Sequence, residues 1–284
     1  MKLRFLIALA GFAAYLSYGQ EPTAALSLEF VDPTVTDFPG GLGVPETFEF
    51  SAGGRVYGSF RVGGFEIRGE AGQISLEYQI TPVDCLGQAL VEPLRGRVQR
   101  RYPRQEGASL PLIRFEFQVP EFPWPGEAKM RVTVTDKFST RIARTEIPFY
   151  IRNDSGEPPT GFEISDFHFY SSEFNSEFLQ EPTFRPGDEV WGRFLLSGYE
   201  VTGRNQYEIE YGIMVRNAAG GLVLNVPRAV AESKESFYRK AYVPAFSSVR
   251  LERNIKPGVY SFVIAAKDGL GKREIKREFP FRIQ

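Results

Sequence analysis

The sequence predicts an all-β chain made of two homologous β-sandwich domains in tandem, behind an N-terminal export signal. Three observations carry that expectation: a repeat at an offset of 132–134 residues, period-two alternation of apolar residues in short runs, and a composition suited to strands and turns. The 284 residues include 25 Phe, 13 Tyr, 28 Gly and 20 Pro, which favours many short strands joined by tight turns. A hydrophobic content of 42% is ample for packed cores.

The export signal rests on Lys2 and Arg4, an apolar stretch from Phe5 to Leu16, and Ser17-Tyr18-Gly19, which places small residues where a signal peptidase cuts. Cleavage is expected before Gln20. The apolar stretch is shorter than the roughly 20 residues that cross a bilayer, and no later segment is apolar enough to span one as a helix. No Cys lies near the cleavage point for a lipid anchor. Loss of residues 1–19 takes Lys+Arg from 34 to 32 against 35 Asp+Glu, a net charge of −3. Such a balance gives no bulk attraction to nucleic acid or an acidic membrane. The lone Cys85 rules out an internal disulfide and is expected as a small buried residue, so each domain must stand on its core.

The repeat is clearest where 54–67 matches 188–201. Val56/Val190, Gly58/Gly192, Phe60/Phe194, Gly64/Gly198 and Glu66/Glu200 are identical, and Tyr57/Trp191, Phe65/Tyr199 and Ile67/Val201 are conservative. It continues through 76–80 and 209–213, Pro125-Gly126 and Pro257-Gly258, Asp136 and Asp268, and Pro148-Phe149 and Pro280-Phe281. The expected domains are 20–153 and 162–284. The polar, Pro/Gly-rich stretch 154–161 makes a short semi-rigid linker between them.

Alternation places first-copy strands near 26–32, 55–62, 73–80, 88–92, 111–119, 127–135 and 141–151. The second copy has strands near 162–170, 188–196, 205–215, 222–226, 246–255, 258–267 and 272–283. Segments 91–102 and 229–241 fit a strand or a short helix. An outer-membrane barrel would also show a signal and short strands, but a domain-scale repeat with a linker argues against it.

Residues 255–271, with Pro257-Gly258, Tyr260, the run Val259–Ala266 and Asp268-Gly269, resemble a corner, strand and turn of immunoglobulin-like and fibronectin type III-like modules of extracytoplasmic proteins. The resemblance implies an Ig-like sandwich in which Tyr260 bonds back to the corner backbone. The first copy has Ala128 at that position. The resemblance implies an architecture and not an activity.

Candidate chemistry is sparse. His168, the only histidine, shares a strand with Asp166 and is expected to be a partly exposed strand residue; a single His excludes multi-His metal sites. No Gly-x-Ser-x-Gly elbow is present. Asp136 and Asp268 occupy equivalent turns and are expected to bond nearby amides, because no Asp-x-Asp-x-Asp series points to calcium. No metal or other cofactor is expected. The candidate ligand-binding residues are the basic run Arg95, Arg97, Arg100, Arg101 and Arg104 with Tyr102, together with Trp124 in a Pro-rich loop. Trp191 is expected in the core. Asn153-Asp154-Ser155 is a glycosylation sequon.

Export, duplication and this thin inventory predict a non-catalytic secreted or periplasmic binding or scaffold protein. Its partner would be a protein or a polysaccharide, held by sandwich loops or a sheet edge. The alternative is a carboxylate-dependent, glycan-directed hydrolase built on a β-sandwich.

Overall fold

A computed structural model describes residues 27–103, 108–152 and 160–284. The expected signal (1–19), Arg104, the sequon and nearly all of the expected linker lie outside the described residues. The chain is all-β: the described residues form sixteen strands and no helix.

The first copy contributes β1 (Glu29–Thr36), β2 (Glu49–Phe50), β3 (Arg55–Gly63), β4 (Gln73–Val83), β5 (Leu94–Arg101), β6 (Leu112–Gln118), β7 (Gly126–Asp136) and β8 (Ile142–Ile151). The second contributes β9 (Glu163–Tyr170), β10 (Thr183–Phe184), β11 (Glu189–Ser197), β12 (Tyr207–Asn217), β13 (Leu222–Lys234), β14 (Tyr242–Arg250), β15 (Gly258–Asp268) and β16 (Arg273–Ile283). In the first copy a three-stranded sheet, β1-β3-β6, packs on a five-stranded sheet, β2-β8-β7-β4-β5. The second copy repeats this order as β9-β11-β14 on β10-β16-β15-β12-β13. Short β2 and β10 run parallel to β8 and β16; the other pairings are antiparallel.

Each sandwich has its own core, and repeat-related side chains occupy like positions in it. Val56 and Val190 are both fully buried, as are the pairs Phe60/Phe194, Ile80/Ile213, Val132/Ile264 and Ile151/Ile283. Even the bulges match. Asp32 and Asp166 both have φ 51° and interrupt the pairing of the first strand of each copy. The identical Gly64 and Gly198 follow from backbone crowding. Both have positive φ, and a Cβ there would fall 1.9 Å from the Ser27 carbonyl oxygen and 2.0 Å from that of Gly161.

The open segments 91–102 and 229–241 supply edge strands β5 and β13 and no helix. In β5 the alternation wins: Leu94 and Val98 face the core while Arg95, Arg97 and Gln99 point out. The strand expected near 88–92 is instead part of a turn held by Asp84, whose Oδ1 accepts the Leu86 and Gln88 N–H groups at 2.9 Å each.

Asp136 and Asp268, both fully buried, stitch corresponding loops. The Glu66 N–H donates to Asp136 at 2.8 Å, and the Glu200 N–H to Asp268 at 3.0 Å. Asp136 also accepts from the Ser139 hydroxyl at 2.6 Å and the Phe138 N–H at 3.0 Å. Arg273 donates to Asp268 at 2.6 Å. Burial pushes the Asp136 carboxyl upward, but the Ser139 hydroxyl and the backbone N–H donors outweigh it and hold the group below the usual range. Tyr260 makes the expected corner bond, donating to the Lys256 carbonyl at 2.7 Å.

Two outcomes follow. Tyr260→Phe should cost the second sandwich about 1 kcal/mol in urea unfolding, with no change in slope. A carboxyl held low stabilises the fold above its ordinary titration range, and that stability disappears as pH falls through its folded-state value. Asp136→Asn should therefore lower stability at neutral pH and flatten its acid limb; an unchanged acid limb would contradict this role.

Candidate functional site

The described arginines of the basic run divide between the two faces of β5. Arg95, Arg97 and Arg101 share the outer face of β5, whereas Arg100 lies opposite Ile74 on the other face. Arg95 donates to the Gln79 side chain at 3.1 Å, and Arg97 pairs with Glu77 at 2.5 Å. Lys137 reaches the same carboxylate at 3.1 Å. The Arg97 and Lys137 hydrogen bonds hold the Glu77 carboxyl below its ordinary range. Glu77, Gln79, Arg95 and Arg97 border an open groove of about 670 Å³ with Thr133 and Thr135. Tyr102 folds back onto its own sandwich. Its ring meets Phe65 edge-on at 4.9 Å and its hydroxyl donates to the Ala108 carbonyl at 2.9 Å.

Trp124 lies elsewhere, between the two sandwiches. The loop joining β13 to β14 sends Tyr238 into the first sandwich, where it is 5% exposed and packs with that core. The Tyr238 hydroxyl donates to Asp84 Oδ2 at 2.8 Å and accepts the Trp124 backbone N–H at 2.8 Å. Asp84 is itself 3% exposed, so its carboxylate is fully committed to this tyrosine and its own turn. Burial and the Asp84 carboxylate keep the phenol protonated far above neutral pH. Around it the Ala241 N–H donates to the Phe122 carbonyl at 2.8 Å, Lys240 pairs with Glu121 at 3.7 Å, and Arg239 stands over the Trp124 ring at 5.9 Å. Leu195, Ala241 and Tyr242 are buried here against Phe122 and Trp124. The loop is tied to its own sandwich as well, through Tyr199, which donates to the Lys240 carbonyl at 2.7 Å.

Trp191, expected in the core, instead stands on the outer face of β9-β11-β14. Val190, Gly192 and Phe194 alternate inward, so Trp191, Arg193 and Leu195 alternate outward. Across the same face lie Tyr170 and His168 on β9, and Phe246 and Ser248 on β14. The Trp191 and Phe246 rings are 6.3 Å apart and 26° from parallel, and Phe246 is 54% exposed. The Arg193 guanidinium covers the Tyr170 ring at 4.1 Å and donates to the Glu173 carbonyl. His168 contacts Asp166 at 3.1 Å, through the bulge that brings both to this face, and Phe178 at 4.2 Å. The sequence signal was present in the residue types, but strand parity was needed to turn them outward.

The buried carboxylates are engaged in structure. Asp84, Asp136 and Asp268 are spent on turns and loops, as above. Glu208, Glu210 and Glu232 border a groove of about 310 Å³, where Arg228 holds Glu210 at 3.1 Å and the Tyr207 hydroxyl donates to Glu232 at 2.7 Å. No cluster of three metal-ligating side chains occurs among the described residues, and no helix of theirs is long and apolar enough to cross a membrane. Cys85 is free and exposed in the Asp84 turn and not buried as expected, because the turn carries it off the sheet.

No family model and no curated protein matches the chain. Among solved structures, the C-terminal domain of the Streptococcus pyogenes antigen I/II-family protein AspA aligns over 89% of this chain and 99% of its own, at 11% identity and a TM-score of 0.30. The C-terminal domain of the Streptococcus agalactiae AgI/II polypeptide BspA aligns over 88% and 99%, at 12% and 0.29. A family 123 glycoside hydrolase from Clostridium perfringens aligns over 43% and 27%, at 15% and 0.28. Similarity at this level leaves function to be read from the chain's own surface.

Tyr238→Phe should cost about 1–3 kcal/mol, because it strands a buried carboxylate oxygen and the Trp124 N–H. Tyr238→Ala, which also leaves a cavity, should split calorimetric unfolding into two transitions, one per sandwich. A single transition at the wild-type midpoint would show that the junction does not couple them.

Proposed function

We propose that the chain is a non-catalytic, exported binding protein, a stiff pair of Ig-like sandwiches that holds a ligand outside the cytoplasm. The observation that carries this reading is the outward face of β9-β11-β14. Phe246 and Phe178 are exposed there beside the half-buried Trp191, a grouping of rings on one side that a soluble protein has little reason to keep unless something covers it. Trp, Tyr and Arg are also the residue types that dominate binding energy. The junction supports the reading, because sandwiches held in a fixed relation present this face without the entropy cost of ordering two loose modules. The ligand is a protein or a polysaccharide.

Immobilised residues 20–284 should retain a component of the envelope or secreted fraction. The double variant Trp191→Ala/Phe246→Ala, at an unchanged thermal midpoint, should release it. Equal retention by both proteins would remove this face from the reading.

A further inference from the structure

The two copies provide an internal comparison for the aromatic face. Register places Thr34, Thr36, Tyr57, Ser59, Arg114 and Glu116 of the first copy where the second has His168, Tyr170, Trp191, Arg193, Phe246 and Ser248. The first set folds the same three strands with one aromatic residue. The fold therefore does not require the aromatics of the second copy, and they have been placed on a surface that a hydroxyl- and charge-bearing set also fits.

The face has two unlike halves. At one end Leu195 and Tyr242 are capped by Phe122 and Trp124 of the first sandwich. At the other end it continues into the exposed Phe246 and the half-buried Trp191 and Arg193, with Arg193 lying over Tyr170. The covered half is packed like a protein interior. The open half alternates rings with polar groups that are already oriented: Arg193 by Tyr170 and the Glu173 carbonyl, His168 by Asp166, and Ser248 by Glu189 at 3.0 Å. The single cation Arg193 stands among the carboxylates of Asp166 and Glu189, so the surface offers flat rings and fixed donors and acceptors with no large net charge. That combination complements an uncharged chain whose rings are apolar on their faces and hydroxylated at their edges. A rod-like polyanion would call for a field of unpaired cations.

We infer that the open half of this face binds a neutral polysaccharide, with sugar rings stacked on Trp191 and Phe246 and their hydroxyls met by Arg193, His168 and Ser248. The inference rests on the binding reading above and names its ligand class. The capped end forms a wall at Phe122, so a chain lying along the face would abut the first sandwich at the junction.

Affinity gel electrophoresis of residues 20–284 tests it, using gels cast with soluble neutral glucans, mannans, galactans and xylans and, in parallel, with alginate and heparin. Retardation is expected in at least one neutral gel. Trp191→Ala should weaken it about tenfold or more, consistent with loss of an aromatic contact. Phe246→Ala should do the same, and its exposed position makes it safe to substitute. Tyr57→Ala, at the equivalent site of the first copy, should change nothing. No retardation in any neutral gel overturns the inference, as does retardation that survives both variants or occurs only in the anionic gels. If the neutral gels are blank while Trp191→Ala/Phe246→Ala still abolishes retention of an envelope protein, the glycan assignment falls and the binding reading stands. If both tests are blank, both fall.

Discussion

The arrangement of the molecule depends on one buried hydroxyl. Tyr238 leaves its own sandwich, enters its neighbour's core and bonds two groups there, the buried Asp84 carboxylate and the backbone N–H of Trp124. The Asp84 Oδ1 is met by its own turn, but a buried Oδ2 left without a donor is expensive, so with the junction closed the first sandwich needs this partner. The need runs both ways, because the phenol is itself deeply buried. The apolar contacts of Leu195, Ala241 and Tyr242 with Phe122 and Trp124 add area around the polar pair, but it is the pair that demands one particular docking geometry.

Duplication explains how such a junction could arise without a new fold. Asn217 occupies the position of Asp84 in the second copy and holds its turn in the same way, accepting the Ala219 and Gly221 N–H groups at 3.1 and 2.8 Å. What the aspartate adds is a second oxygen, free to accept from across the junction. The loop after the fifth strand diverged in step. In the first copy it carries Tyr102 back onto Phe65, and in the second it sends Tyr238 outward while Tyr199, the counterpart of Phe65, anchors its backbone. The outer face of the three-stranded sheet diverged as well, from hydroxyls and charges to rings. Shared positions in the two copies maintain the cores, and the unshared ones carry the junction and the candidate site.

This division also sets what could be read from the sequence. Strand identity and the tandem architecture were legible because the repeat and the alternation act locally. Tyr260 was legible through the resemblance of 255–271 to an Ig-like corner, and its partner is four residues away. Edge strand β5 and the second part of β13 were harder, since their long polar side chains fit a short helix as well as an open edge. Trp191 was assigned inward because it matched Tyr57 in a well-repeated strand, yet neither residue faces in; parity from the fully buried Val190 and Val56 gives the correct side. Trp124 was taken for a loop anchor, and it is partly buried because a segment more than a hundred residues away covers it. Contacts at that range leave no local pattern, so Asp84 and Tyr238 gave no sign in the sequence of being partners.

The coupling of the two sandwiches is tested most directly by residual dipolar couplings from residues 20–284 in a dilute liquid-crystalline medium. With the Tyr238–Asp84 junction closed in solution, β1–β8 and β9–β16 should share one alignment tensor, with the same magnitude and an orientation that matches the relative placement of the two sheet pairs. Tensors that differ in magnitude between the sandwiches would show that they reorient independently, and the junction would then not be the constraint that fixes the aromatic face relative to the first sandwich.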